Sequence, residues 1–190
     1  VNDGDGDLVI EQFFIDFDVH EMANVRIGRV LTPLGIINQK HEPPTYHGVE
    51  RPEFATRIIP STWSSDGIGL HGRLFPWLTY EAYVVGSLDG SGFSDNGIRG
   101  GRIKERPSLH EVAGTGRFDI FPLAETAVSW ADNLRFGASY FFGGLDNGDQ
   151  GNNPGIDNAS IRIYSTDFEY TIRDFDFRGA LAWEEIEGAE

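Results

Sequence analysis

The stretch VRIGRVLTPLGIINQKHEPPTYHGVERPEFATRIIPSTWSSDGIGLHGR, Val25–Arg73, decides how the whole chain is read. Two segments that alternate with a period of two, Val25–Leu31 and Gly67–Leu74, flank about 35 residues with no sustained period. That middle part carries Pro33, Pro43, Pro44, Pro52 and Pro60, which exclude a helix and bar it from a central strand. It also carries Ile36, Ile37, Tyr46, Phe54, Ile58, Ile59 and Trp63, too many apolar groups for a disordered tail. A connection this long in a compact domain usually has a function. It is expected to be ordered and folded onto, or into, whatever the strands build.

Composition narrows the classes. At 190 residues the chain is one domain's worth, or part of a larger one. Its 24 glycines, 13% aromatic residues and scarcity of lysine suggest an all-β chain. The formal net charge of −15 argues against nucleic acid, which needs a basic stripe. Without cysteine there is neither a disulfide scaffold nor a thiolate metal site. No apolar run approaches the roughly 18 residues of a membrane-spanning helix, but barrel strands need only about ten alternating residues each. A start at Val1 without a signal peptide fits a mature or partial chain.

Outward from the central stretch, alternation marks further strands. Phe13, Ile15, Phe17 and Val19 oppose Gln12, Asp16, Asp18 and His20. In Asn24–Leu31 the register is open: Arg26 faces away from Val25 and Ile27, whereas Arg29 shares their face unless a bulge intervenes near Gly28. Leu78, Tyr80, Ala82 and Val84 oppose Thr79, Glu81 and Tyr83, and Phe118 and Ile120 oppose Arg117 and Asp119. The clearest case sets Leu134, Phe136, Ala138, Tyr140 and Phe142 against Arg135, Gly137 and Ser139. The strand near 159–172 begins ambiguously at Ile161–Ile163, then sets Tyr164, Phe168 and Tyr170 against Ser165, Asp167 and Glu169. Phe175, Phe177, Leu181 and Trp183 oppose Asp176, Arg178 and Glu184.

Along these eight candidate strands the connections run short, long, short, long, medium, long, short. A soluble sandwich has no reason to sort its connections, whereas an outer-membrane barrel pairs short periplasmic turns with longer extracellular loops. The polar face carries arginine beside aspartate or glutamate, as a confined lumen favours, rather than the lysine and threonine of a solvated face. In lipid only a closed sheet satisfies its backbone. The expected fold is therefore an all-β, antiparallel transmembrane β-barrel.

The runs RIGRVLTPLGIIN, HEPPTYHGVERP and IIPSTWSSDGIGLHGR resemble the phosphate-selective-porin-like (O/P type) outer-membrane porins. YEAYVVGSLDG, FGASYFFGG and FDFRGALAWEE resemble strand-and-loop blocks of the same group. The resemblance implies a homotrimer of barrels with roughly 16 to 18 strands each and an inward-folded loop that narrows the pore. Residues 1–190 would then be a single, partial barrel domain, with the long loop at about 32–66. Near-absence of lysine, and acids that match the arginines on the polar face, argue against phosphate as the solute.

Enzyme chemistry is not expected. His20, His41, His47, His71 and His110 form no helical HExxH, no GxSxG elbow exists, and adjacent Glu184 and Glu185 face opposite ways in a strand. No cofactor is expected either; calcium at acidic loops such as NDGDGD (2–7) is the one cation left open, without the spacing of an EF-hand. The expected pore lining is Arg26, His71, Arg73, Glu81, Arg117, Asp119, Arg135, Asp167 and Arg178. The expected constriction is His41, Glu42, His47, Glu50, Arg51 and Arg57. The function expected is passive diffusion of small hydrophilic solutes or ions across a bacterial outer membrane, with membrane lipid as the surrounding partner. The rivals are a non-transporting barrel scaffold in an envelope assembly and a soluble, acidic β-sandwich binding module.

Overall fold

The computed structural model describes residues 10–40, 52–95, 97–103, 109–125, 134–146 and 158–188. Eight strands form one antiparallel sheet in which each lies beside its sequence neighbour. They are β1 (Phe13–His20), β2 (Ala23–Leu31), β3 (Ser64–Phe75), β4 (Leu78–Gly86), β5 (Val112–Ile120), β6 (Arg135–Gly144), β7 (Ser160–Ile172) and β8 (Phe175–Glu187). Alternation located all eight; β3 starts earlier and β8 runs further than it indicated. Among the described residues β1 and β8 pair with no further strand, so the sheet is open. Because successive strands are antiparallel, the turns after β1, β3, β5 and β7 share one end of the sheet. The long connections 32–63, 87–111 and 145–159 share the other.

One sequence expectation needs correction, and one register left open is settled. The prolines do not exclude helix from the first long connection, which contains α1 (Gly35–Gln39) and α2 (Phe54–Arg57). Each is about one turn, fitted between prolines: Pro33 precedes α1, Pro52 precedes α2 and Pro60 follows it. A pyrrolidine ring breaks a helix interior but tolerates a turn that begins after it. Nor is there a bulge at Gly28. The β1–β2 ladder is unbroken from Phe13↔Arg29 to Phe17↔Val25 and shifts only between Phe17 and His20. Gly28 absorbs the distortion instead, at φ +135°, where a Cβ would collide with the Phe13 carbonyl oxygen. Arg29 therefore does share the apolar face, and the directly opposed Asp66 pairs with it at 2.6 Å.

The sheet has one covered face and one bare face. The long connections fold over the covered face at their own end, where Val30, Val85, Ala113, Phe141, Ile161 and Ile163 meet Leu34, Ile59, Trp63, Leu88, Ile98 and Leu145. Trp63 is 1% exposed, and its ring lies 4.7 Å from that of Phe141 at a tilt of 52°. Asn38 closes the neck of the first connection. Its amide donates to the Thr32 and Trp63 carbonyls, and its oxygen accepts the Trp63 N–H. From that neck α1 crosses the sheet to β6, β7 and β8, where the Gly35 N–H donates to Ser139 Oγ at 2.9 Å. The bare face presents large apolar side chains to the outside, with Phe13 75%, Leu181 76% and Trp183 70% exposed.

Truncating Trp63 should open a cavity under the connection. Trp63→Ala is expected to lose about 3–5 kcal/mol, read as a lower denaturant midpoint. A midpoint equal to that of the parent protein would mean that the connection contributes nothing to the fold.

Candidate functional site

The covered face changes character along each strand. Near the long connections it is apolar except for the half-buried Glu184 on β8, which stands opposite Ile163. Towards the turns the same parity gives Arg26 on β2, His71 and Arg73 on β3, Glu81 on β4, Arg117 and Asp119 on β5, Arg135 on β6, Asp167 and Glu169 on β7, and Asp176 and Arg178 on β8. The charges buried on that face need partners, whereas Arg73 at the turn end is exposed.

Arg117 is the centre of the larger network. Asp119, Gly137 and Asp167 stand in one row across β5, β6 and β7. The Arg117 side chain lies across that row, over Gly137, where any Cβ would fall on the guanidinium. It grips Asp167 with two nitrogens, at 2.9 and 2.7 Å, and Asp119 at 2.8–3.0 Å. The side chains of Arg117 and Asp167 are both 0% exposed. Arg135 then joins Asp119 at 2.6 Å, Asp167 at 3.1 Å and Glu169 at 3.0 Å. Glu169 also receives Lys40 Nζ from the end of α1 at 2.6 Å and Arg178 at 3.1 Å, and Arg178 reaches Asp176 at 2.9 Å. Four cations (Lys40, Arg117, Arg135, Arg178) thus meet four carboxylates (Asp119, Asp167, Glu169, Asp176). A polar hollow of about 420 Å³ opens beside Lys40, Asp119, Arg135, Glu169 and Arg178.

A smaller network occupies β1–β4. Asp16 accepts from Arg26 at 2.5 and 2.9 Å and meets His71 Nε2 at 2.7 Å. Arg26 also lies over the Phe14 ring, 4.4 Å from its centroid. The Tyr83 hydroxyl donates to Glu81 at 3.2 Å, and Gln39 donates to the other Glu81 oxygen at 3.3 Å. Gln39 and Lys40 are consecutive. The end of α1 therefore reaches one network with each of two neighbouring side chains, and ties the connection to both halves of the sheet.

Of the residues singled out from the sequence, Arg117, Asp119, Arg135, Asp167 and Arg178 come together in one network, and Arg26, His71 and Glu81 belong to the other. Arg73 stays exposed at the turn end, and among the described residues its guanidinium has no acidic partner. Arg57 is on α2, with its side chain 56% exposed, and pairs with Glu53 inside the connection. His41, Glu42, His47, Glu50 and Arg51 lie outside the described residues, as does the acidic segment 2–7. Sequence reasoning missed Lys40, Glu169, Asp16 and Tyr83. Glu169 shares the parity of Asp167 and Asp16 opposes Arg26, so both were findable. Nothing local announced Lys40, whose partner lies 129 residues away.

Mutually paired charges of both signs give this wall a fixed polarity without a strong field of one sign.

Compared with known proteins, the chain is similar to an "Uncharacterized protein" of Aquifex aeolicus (strain VF5), 32% identical over 189 residues. The match takes in 97% of this chain and 40% of that relative, so the chain spans less than half the length of the protein it resembles. No family model and no solved structure matches it.

Gly137→Ala should evict the Arg117 guanidinium from between its carboxylates. Breaking a buried pair in this way costs about 3–5 kcal/mol, measured by equilibrium unfolding. Arg117→Met should cost about as much, and Arg117→Met with Asp167→Leu should recover part of the loss. A fully additive double variant would mean that the pair is not coupled.

Proposed function

We propose that this chain forms part of an outer-membrane β-barrel porin, through which small hydrophilic solutes or ions diffuse passively past the connection that α1 carries across the sheet. One observation carries the reading: the sheet is inside out for a soluble protein. Most of its charged residues are on the covered face, with Arg117 0%, Asp167 5% and Glu169 8% exposed as whole residues. Its phenylalanines, leucines and tryptophans face outward on strand after strand, Phe136 (46%), Phe142 (51%), Phe177 (50%) and Leu181 (76%) among them. An apolar surface this extensive needs a cover, and lipid is the cover that matches its alternation.

The two ends of the bare face support the same reading. Towards the turns, Phe75 stacks on Trp77 (5.2 Å, 6° between rings) and Phe175 on Phe177, the aromatic girdle expected at a membrane–water interface. Towards the long connections, Arg29–Asp66 and Arg162–Glu187 are ion pairs on the apolar parity, at the level where a headgroup region would begin. Between them a furrow of about 550 Å³ runs among Phe118, Phe136, Phe168 and Leu181, of a kind an acyl chain fills. The open edges of β1 and β8 would be closed by further strands, since only a closed sheet satisfies its backbone in lipid. A soluble sandwich would instead bury the bare face and wet the charged one. Because cations and carboxylates balance in the larger network, the pore should be only weakly ion-selective, and phosphate is not favoured.

Reconstitution of the full-length protein into planar bilayers tests this. It should give channel steps of uniform size, enlarged in Lys40→Ala, where α1 loses its hold on Glu169. Verified insertion without conductance would leave a scaffold, and solubility without detergent would end the membrane reading. Separately, Phe136→Arg should destabilise the detergent-folded protein by about 2–4 kcal/mol if the residue lies near the bilayer midplane. Tolerance of arginine there would contradict a lipid-facing surface.

A further inference from the structure

At the end of the sheet remote from both charge networks, three metal-ligand side chains from two different connections converge. One ring nitrogen of His110 and one carboxylate oxygen each from Glu111 and Asp146 lie within 4.8 Å of one another. Glu111 immediately precedes β5, and Asp146 follows shortly after β6. We propose that His110, Glu111 and Asp146 form a binding site for a divalent transition-metal ion of the zinc class, which clasps the connection before β5 to the connection after β6.

The convergence is built from rigid parts. Ser87 fixes both flanks: its N–H donates to the Glu111 carbonyl at 2.9 Å, and its hydroxyl donates to the Gly144 carbonyl. Leu145, next to Asp146, is held on both sides, its N–H donating to the Ala159 carbonyl and its carbonyl accepting the Gly90 N–H. Gly144 has no side chain, and the Glu111 carboxylate occupies the space a Cβ would need. The atoms nearest to that Cβ are all in the Glu111 side chain, so a larger residue there would push the carboxylate away. The imidazole is oriented as well. His110 Nδ1 lies 3.2 Å from the Asp146 carbonyl oxygen, which can only accept, so Nδ1 is the donor there and Nε2 is the ring nitrogen left for a metal. A backbone carbonyl in that role is the usual outer support of a metal-binding histidine.

The donor set selects the metal class. One imidazole and two carboxylates suit zinc and its neighbours, with bonds of about 2.0–2.2 Å and a fourth position for water. Calcium wants six to eight oxygens, so the ion left open for the acidic loops does not suit these three ligands. The net charge of −15 draws cations to the protein, and an ion here would neutralise two carboxylates held close together. The clasp rests on these residues alone and not on the pore reading.

Calorimetric titration of the chelator-treated, full-length protein with zinc chloride tests it. One saturable zinc site per chain is expected, weakened at least tenfold in His110→Ala and in Glu111→Gln and weakened in Gly144→Ala, with excess calcium unable to displace the ion. Zinc binding unchanged in those variants, absent from the parent protein, or displaced by calcium would overturn the assignment. If a variant does not fold, the parent protein still decides. Zinc should block diethyl pyrocarbonate modification of His110, mapped by mass spectrometry, and undiminished modification there would refute the site.

Discussion

A guanidinium sealed from water can stay charged only if carboxylates surround it, and Arg117 imposes that condition on half of the sheet. Its partners come from β5 itself and from β7, across β6. The row Asp119–Gly137–Asp167 must therefore keep its register, because a slip of one residue on β6 or β7 would send a side chain of the row to the other face. The small residue in the row is as necessary as the charges. Gly137 leaves the space through which Arg117 reaches Asp167, and any side chain would fill it. Replacing such a network with apolar residues is often neutral in energy, whereas removing one member alone leaves a buried charge unpaired.

That network explains why the covered face is divided. Under the described parts of the long connections the face is mainly apolar and packs; towards the turns it is charged, and most of its charges pair. The connection from β2 to β3 serves both zones. Its apolar residues Leu34, Ile59 and Trp63 sit in the packed zone, and Gln39 and Lys40 extend to the charged one. A loop with that double character is neither a lid over the sheet nor a tail beside it. It is part of the wall.

Much of this was legible in the alternation of residues. Strand parity in a sheet is a local property, so Phe136 against Arg135 or Phe177 against Arg178 declared the two faces without any tertiary knowledge. Parity misled where the reason for a side chain lay elsewhere. Ile161 and Ile163 looked ambiguous because a polar face turns apolar beneath a connection more than a hundred residues distant in sequence. Arg29 looked misplaced because its partner, Asp66, belongs to the next strand. The prolines were read as excluding helix, yet a single turn fits between them. The site was half visible: the strand-borne charges follow the period, whereas Lys40, and the meeting of His110 with Asp146, depend on how separate connections are laid down.

The reach of α1 also orders events in time. Every strand in the sheet pairs with its sequence neighbour, so the sheet can grow hairpin by hairpin from either side. The contacts of α1 are of another kind: Gly35 meets Ser139 across 104 residues and Lys40 meets Glu169 across 129. Closing so long a stretch of chain carries an entropic cost that only a finished β6 and β7 can offset. That cost favours docking of the connection after β6 and β7 have paired, and until it occurs Glu169 lacks Lys40. Until then the charged part of the sheet lacks Gln39 and Lys40, the two side chains that tie it to the connection.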